Sequence, residues 1–206
     1  MQVRPAMKSY IQSCKSEFWQ KVFKAETDYI LDFIKDCKEI LSVGCGPAHI
    51  EAKLAEYGFS VTGLDVSKEA LDQAPDTLRT VAGSAEKTGF DDGSFDAVLY
   101  TASLQFIEKY PQAIAETARI LRPNGKLLVM LLNTKSNFFR EKIKDPDSYV
   151  NRIRHTNQKE IEEVIRRYFL VETEYFLGIQ NAEVYPSREQ TQAGLYIIKG
   201  IKKQPE

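Results

Sequence analysis

Two hydrophobic periods divide the chain. Over the first segment, at about 1–38, Phe18, Trp19, Val22, Phe23, Tyr29, Ile30, Phe33 and Ile34 recur at spacings of three or four, the apolar stripe of an amphipathic helix packed on the body of the protein. From residue 39 short apolar runs alternate with helical stretches. Strands are predicted at 39–44, 60–65, 78–82, 95–100 and 126–132, and helices near 49–57, 68–73 and 111–121. Runs such as Ala97-Val98-Leu99 and Leu127-Leu128-Val129-Met130 are apolar at every position, as in parallel strands covered on both faces. Pro111 opens the last of these helices and Pro123-Asn124-Gly125 ends it. Beyond it, 156–168 reads as helix, and 169–177 and 195–201 read as two strands that pair antiparallel. The stretch 178–192 is polar, contains Pro186 and reads as a loop. The expectation is one α/β domain over 1–206, a doubly wound, mostly parallel seven-stranded sheet with an antiparallel C-terminal edge hairpin. It carries an N-terminal helical segment and a helical insertion at about 135–167.

One strand-to-helix junction carries candidate chemistry. In Ile40-Leu41-Ser42-Val43-Gly44-Cys45-Gly46-Pro47-Ala48 a buried strand runs into glycines and then into a helix. Glycine permits a tight turn and lets a ligand approach the backbone, and the N–H groups of the following helix start are free to donate. In an open α/β sheet this is the crevice at the carboxyl ends of the strands. Asp65 follows the first glycine by 65 − 44 = 21 residues, at the end of the next strand, close to the separation of about 20 at which an acid accepts hydrogen bonds from a ribose. The competing role for Asp65 is to cap the helix beginning near Ser67. A dinucleotide fingerprint needs a third glycine where this chain has His49, which weighs against a nicotinamide-dependent oxidoreductase. Cys45, between the two glycines, reads as a packing residue rather than a nucleophile.

Composition narrows the partners. The 206 residues are 43% hydrophobic and carry 28 Lys or Arg against 29 Asp or Glu, so no overall field draws the chain to nucleic acid or membrane. The mixed charges of 135–167 read as a solvated helical surface. Three cysteines, none in a CxxC, and an N-terminus lacking an apolar run suit a reducing, cytoplasmic setting. Two histidines give no basis for a His-rich metal site.

From about residue 40 to 132 the chain resembles the class I S-adenosylmethionine-dependent methyltransferases, with five segments in order. The glycine turn resembles the family's first motif, Val61-Thr62-Gly63-Leu64-Asp65-Val66-Ser67 its second, and Gly83-Ser84-Ala85-Glu86 followed by Phe90 the adenine-side motif. Ser94-Phe95-Asp96-Ala97-Val98 resembles the fourth strand, and Leu121-Arg122-Pro123-Asn124-Gly125-Lys126-Leu127 the turn before the fifth. The resemblance implies a Rossmann-like methyltransferase fold with S-adenosyl-L-methionine as cofactor. It implies Gly44, Cys45 and Gly46 against the methionine part, Asp65 on the ribose, Val66 by the adenine, Ser84, Ala85 and Glu86 along its edge, and Thr101 near the sulfonium. Ser42 stands where the first motif usually has Asp or Glu, Ala48 where a third glycine is common, and Ser84 where Asp is frequent. These departures leave open a non-catalytic partner protein with the cofactor fold.

Methyl transfer by in-line displacement needs alignment more than a side-chain nucleophile, so no triad or metal cluster is required. Tyr10, Glu108, Tyr149 and His155 are candidate bases, and none is singled out as catalytic. The acceptor, a small molecule in this reading, is expected between the first helix, the loop 101–105 and the insertion, with Tyr10, Trp19, Gln105, Arg140 and Tyr149 as candidate contacts.

Overall fold

In the computed structural model, Cys14 and residues 16–204 are described. The first helix, α1 (Glu17–Ile34), starts where the Ser16 hydroxyl accepts from the Trp19 N–H. Parallel strands and helices then alternate: β1 (Glu39–Val43), α2 (His49–Glu56), β2 (Ser60–Asp65), α3 (Lys68–Leu71), β3 (Arg79–Ala82), β4 (Phe95–Thr101), α4 (Tyr110–Ile120) and β5 (Leu121–Leu132). The tail adds α5 (Asn137–Lys142), a 3-10 turn (Tyr149–Arg152), α6 (Gln158–Arg166), β6 (Phe169–Gln180), β7 (Glu183–Tyr185) and β8 (Ala193–Lys202).

The strands form one sheet in the order β3-β2-β1-β4-β5-β8-β6-β7. β1 to β5 are parallel, and β8 runs antiparallel to both β5 and β6. The fold class is the expected one, with an eighth strand. β7 lies within the stretch read as a loop, and its three residues are too few to display a period. The C-terminal pair is antiparallel as expected, but β8 enters between β5 and β6, leaving β7 at the margin. Residues 121–125 extend alongside the start of β4, with a register irregularity between Phe95 and Ala97, so β5 begins earlier than its apolar run.

A core lies on each face of the sheet. Leu41, Val98, Leu127 and Val129 face one side with α4 and α6; Ile40, Leu99, Leu128 and Met130 face the other with α1 and α2. The central strands are buried on both faces, which is why their sequences do not alternate. Among the described residues no helix is long and apolar enough to cross a membrane.

Candidate functional site

Strand register brings three distant positions level. Val43 pairs with Leu64 in β2 and Ser42 with Leu99 in β4, so Gly44, Asp65 and Thr101 emerge side by side at the carboxyl ends of adjacent strands. The chain order of the strands reverses between β1 and β4, the point where open α/β sheets hold ligands. Gly44 N–H donates to the Leu64 carbonyl at 2.7 Å, Gly46 N–H to Asp65 Oδ2 at 2.8 Å, and Ser67 N–H to Asp65 Oδ1 at 2.8 Å. Each carboxylate oxygen keeps room for a further bond. The helix cap itself is Ser67, whose hydroxyl accepts from Ala70 N–H; Asp65 shapes the turn leading into it.

The glycines serve different needs. Gly44 has φ +74°, and a methyl group there would stand 2.5 Å from Ser103 Cβ. Ser103 in turn donates its hydroxyl to the Val43 carbonyl at 2.6 Å, fastening the loop after β4 onto the glycine turn. Gly46 has φ +55° with open space around it, so backbone conformation rather than crowding favours glycine there. Ala48 adopts φ +59° as the N-cap of α2, its methyl fully buried.

Around this junction the surface opens into two chambers sharing Gly44, Ala102 and Phe106. The larger, about 550 Å³, is walled by Asp65, Val66, Gly83, Ala85 and Glu86, with Glu108 and Arg154 completing it. Val66 is 78% exposed, an apolar side chain available to a flat ligand. The loop carrying Ala85 and Glu86 is anchored by Glu116, which accepts from the Thr88 N–H and hydroxyl at 2.8 and 2.7 Å. The Arg119 guanidinium bonded to Glu116 holds that carboxyl down at about 2.

The smaller chamber, about 240 Å³, is bounded by Trp19, Phe23, Phe106 and Tyr149, with Cys45 and Thr101 on the sheet side. Two carboxylates stand in its wall, Glu26 from α1 and Glu51 from α2, 5% and 3% exposed. Glu51 accepts from the Ser42 hydroxyl at 2.5 Å; burial raises its pKa against that bond. Glu26 is pushed up to about 8 by burial and then by the Glu51 charge. Burial and then Glu26 raise the Tyr149 phenol. Burial likewise raises the Cys45 thiol, whose sulfur would sit 2.7 Å from a methyl group on Gly63. Cys45 packs against β2, and a thiol raised in this way is a weaker nucleophile.

Of the expected site residues, Gly44, Cys45, Asp65, Val66, Ala85, Glu86, Thr101, Trp19 and Tyr149 line one chamber or the other, while Gly46 meets Asp65 through its amide. Ser84 is not in the wall; its hydroxyl bonds Glu86 and positions that side chain. Gln105 is corrected: it is fully buried, its amide donating to the Leu132 carbonyl at 3.1 Å and accepting from the Leu132 N–H at 2.7 Å. It clamps the loop after β4 to the end of β5 and lines neither chamber. Arg140 is exposed on α5 and lines neither chamber, because α5 turns Phe139 inward instead. His155, a candidate base, lies 3.0 Å from the Ile107 carbonyl through Nε2 and braces that loop. Tyr10 lies outside the described residues. Glu26 and Glu51 escaped the sequence reading because glutamate on a helix reads as its solvent face. The available signal was position: Glu26 falls midway between Val22 and Ile30, four residues from each, on the buried stripe.

Residues 41–129 match the family model of a methyltransferase domain. Over 146 residues the chain is 27% identical to a bifunctional protein of biotin biosynthesis from Cellvibrio japonicus, covering 67% of this chain and 29% of that one. Over 93 residues it is 38% identical to an uncharacterized methyltransferase of Mycobacterium tuberculosis, covering 44% and 38%. The chain thus spans about a third of the length of these curated relatives. In structure it is similar to a S-adenosylmethionine-dependent methyltransferase of Thermotoga maritima, described as a possible histamine N-methyltransferase, with a TM-score of 0.75, 20% identity, and 96% and 98% of the two chains covered. At that identity the likeness is one of fold.

Proposed function

We propose that this chain, whose residues 41–129 match a methyltransferase domain, is a class I S-adenosylmethionine-dependent methyltransferase that binds S-adenosyl-L-methionine across the two chambers and methylates a small-molecule acceptor in the smaller one. The observation that carries the reading is the junction at Gly44. A chamber with a carboxylate and an exposed apolar side chain meets a chamber with buried carboxylates and aromatic walls.

The residues suit the cofactor's parts. The free acceptor capacity of Asp65 fits two ribose hydroxyls. Val66 and Ala85 offer apolar surface to an adenine, with Glu86 at its edge. Ser42 lacks the first motif's carboxylate, but Glu51, bonded to it at 2.5 Å, lines the smaller chamber with Gly44 and Cys45 and would suit the cofactor's amino group. Glu51 also separates this reading from a nicotinamide enzyme. A pyrophosphate at the start of α2 would meet a carboxylate in the helix's first turn, whereas an ammonium or sulfonium would be attracted to it.

When bound, the cofactor supplies a methyl group already activated for displacement. This chain's part is alignment and exclusion of water. Ser103 holds the loop of Thr101 against the glycine turn, and Trp19, Phe23 and Tyr149 close the acceptor side. Fixing an acceptor in attack geometry is worth about 7–11 kcal/mol of barrier, enough to need no protein nucleophile.

Calorimetric titration with S-adenosylhomocysteine and, separately, with NAD tests the reading. Binding of S-adenosylhomocysteine alone is expected. Binding of NAD alone overturns the proposal.

A further inference from the structure

We infer that the smaller chamber takes its acceptor as a protonated amine, the nitrogen held against the Glu26 carboxylate and between the rings of Trp19, Phe23 and Tyr149. The inference rests on the cofactor reading above, which assigns to the cofactor the larger chamber and the side of the smaller one at Glu51 and the glycine turn.

Glu26 is 5% exposed, stands in the chamber wall, and among the described residues receives no hydrogen bond. Leaving a carboxylate so placed is costly unless something compensates it. Among the described residues the other titratable groups facing the space are Glu51 and His49 from α2, Cys45 from the glycine turn and Tyr149 from the 3-10 turn. No Lys or Arg is among the described residues lining it. Glu51 already has the Ser42 hydroxyl. An anionic acceptor would meet two acidic groups, and a neutral hydroxyl brings no charge to draw the proton off Glu26.

The walls point the same way. Trp19 packs on Phe23 with centroids 5.9 Å apart and on Tyr149 at 6.2 Å, the latter pair at 64°. Aromatic rings lining a space beside an acidic group are surroundings that suit an ammonium. A volume of about 240 Å³, shared with the cofactor's end at the glycine turn, limits the acceptor to a small molecule.

Proton accounting supplies the decisive readout. With its pKa up at about 8, Glu26 is mostly protonated at pH 7 in the free protein. An incoming ammonium ionises it, and a proton is released to solvent; before methyl transfer the ammonium gives a proton to the Glu26 carboxylate, which frees the nitrogen lone pair to attack. The probe is 2-phenylethylamine, titrated at pH 7 into the full chain saturated with S-adenosylhomocysteine, in two buffers of different ionisation enthalpy. The neutral 2-phenylethanol is the control. The amine is expected to bind with proton release and more tightly than the alcohol. In Glu26→Gln the amine should weaken by about tenfold or more, the loss of one charge-assisted bond, and release no proton, with S-adenosylhomocysteine affinity retained. Trp19→Leu, which leaves Glu26 in place, should also weaken the amine. Equal binding of alcohol and amine, or unchanged amine binding and proton release in Glu26→Gln, overturns the inference. Failure of S-adenosylhomocysteine to bind overturns the cofactor reading and this one with it; its binding without the amine overturns this one alone.

Discussion

Asp65 shapes a turn and keeps acceptor capacity for a ligand with the same two oxygens. Its oxygens accept from Gly46 and Ser67, so Asp65→Ala removes two backbone partners as well as the proposed ribose contact. Stability should fall by about 1–3 kcal/mol and S-adenosylhomocysteine affinity by about a hundredfold or more; calorimetry on variant that is still folded by circular dichroism separates the two. Affinity within a fewfold of the parent would remove the ribose role. Glu26 makes the opposite electrostatic statement. Its folded pKa, about 8, lies above the ordinary carboxyl value of 4.5, so the native state holds a proton that the unfolded chain gives up between those values. Stability from this group is therefore complete below pH 4.5 and lost as pH rises toward 8. Urea unfolding from pH 5 to pH 9 should show Glu26→Gln overtaking the parent as pH increases; parallel curves would refute it. Of the two residues, Asp65 was legible because its spacing from Gly44 reflects strand register. Glu26 was not, since charge patterning alone cannot separate a carboxylate in water from one on the edge of a cavity. Gln105 was misread for a related reason: a polar side chain near the cleft can equally be spent on a buried backbone pair.

Among the elements, those with a long period were readable and those fixed by pairing were not. The stripe of α1 and the unbroken apolar runs of β4 and β5 announce burial directly. β7 exists because Glu183–Tyr185 can hydrogen-bond to the end of β6, a tertiary fact without a local pattern. Its turn carries an identifiable strain. Gln180 pairs with Glu183, leaving Asn181 and Ala182 as a two-residue loop with φ +51° and +59°, the geometry of a type I′ turn, where glycine is favoured at the second position. Ala182 is exposed, so its methyl has no packing to lose. Ala182→Gly should relieve the left-handed penalty of about 1–2 kcal/mol, offset in part by the added freedom of the unfolded chain. The expected outcome is a net gain of about 0.5–1 kcal/mol in chemical denaturation with cofactor affinity unchanged. A loss of stability would mean that the turn is not in this conformation.

For the molecule as a whole, the question is how the sheet and α1 share the work of enclosing a ligand. The C-terminal half of α1 is tied to the strands: the Lys126 ammonium donates to the Phe33 carbonyl at 2.8 Å and pairs with Asp36, and the Tyr29 hydroxyl donates to Glu174. The N-terminal half instead borders the smaller chamber with Trp19, Phe23 and Glu26, its rings packed on Tyr149 and His49 from short elements rather than on the central strands. One helix therefore joins a segment secured by the sheet to a segment whose packing is completed by whatever enters. Local opening costs least where buried contacts are fewest, and a ligand that binds only the closed arrangement raises that cost according to its concentration relative to Kd. At about a hundred times Kd the added protection amounts to about 2.7 kcal/mol, close to a hundredfold slowing of exchange for amides that open only when the ligand leaves. Hydrogen exchange followed by mass spectrometry, with and without S-adenosylhomocysteine, should show the slowing in peptides covering 17–26 and in the glycine turn, with 29–34 already protected in the free protein. Equal slowing along all of α1 would mean that the helix responds as one rigid piece, and no slowing at 17–26 would remove its first half from the wall of the site.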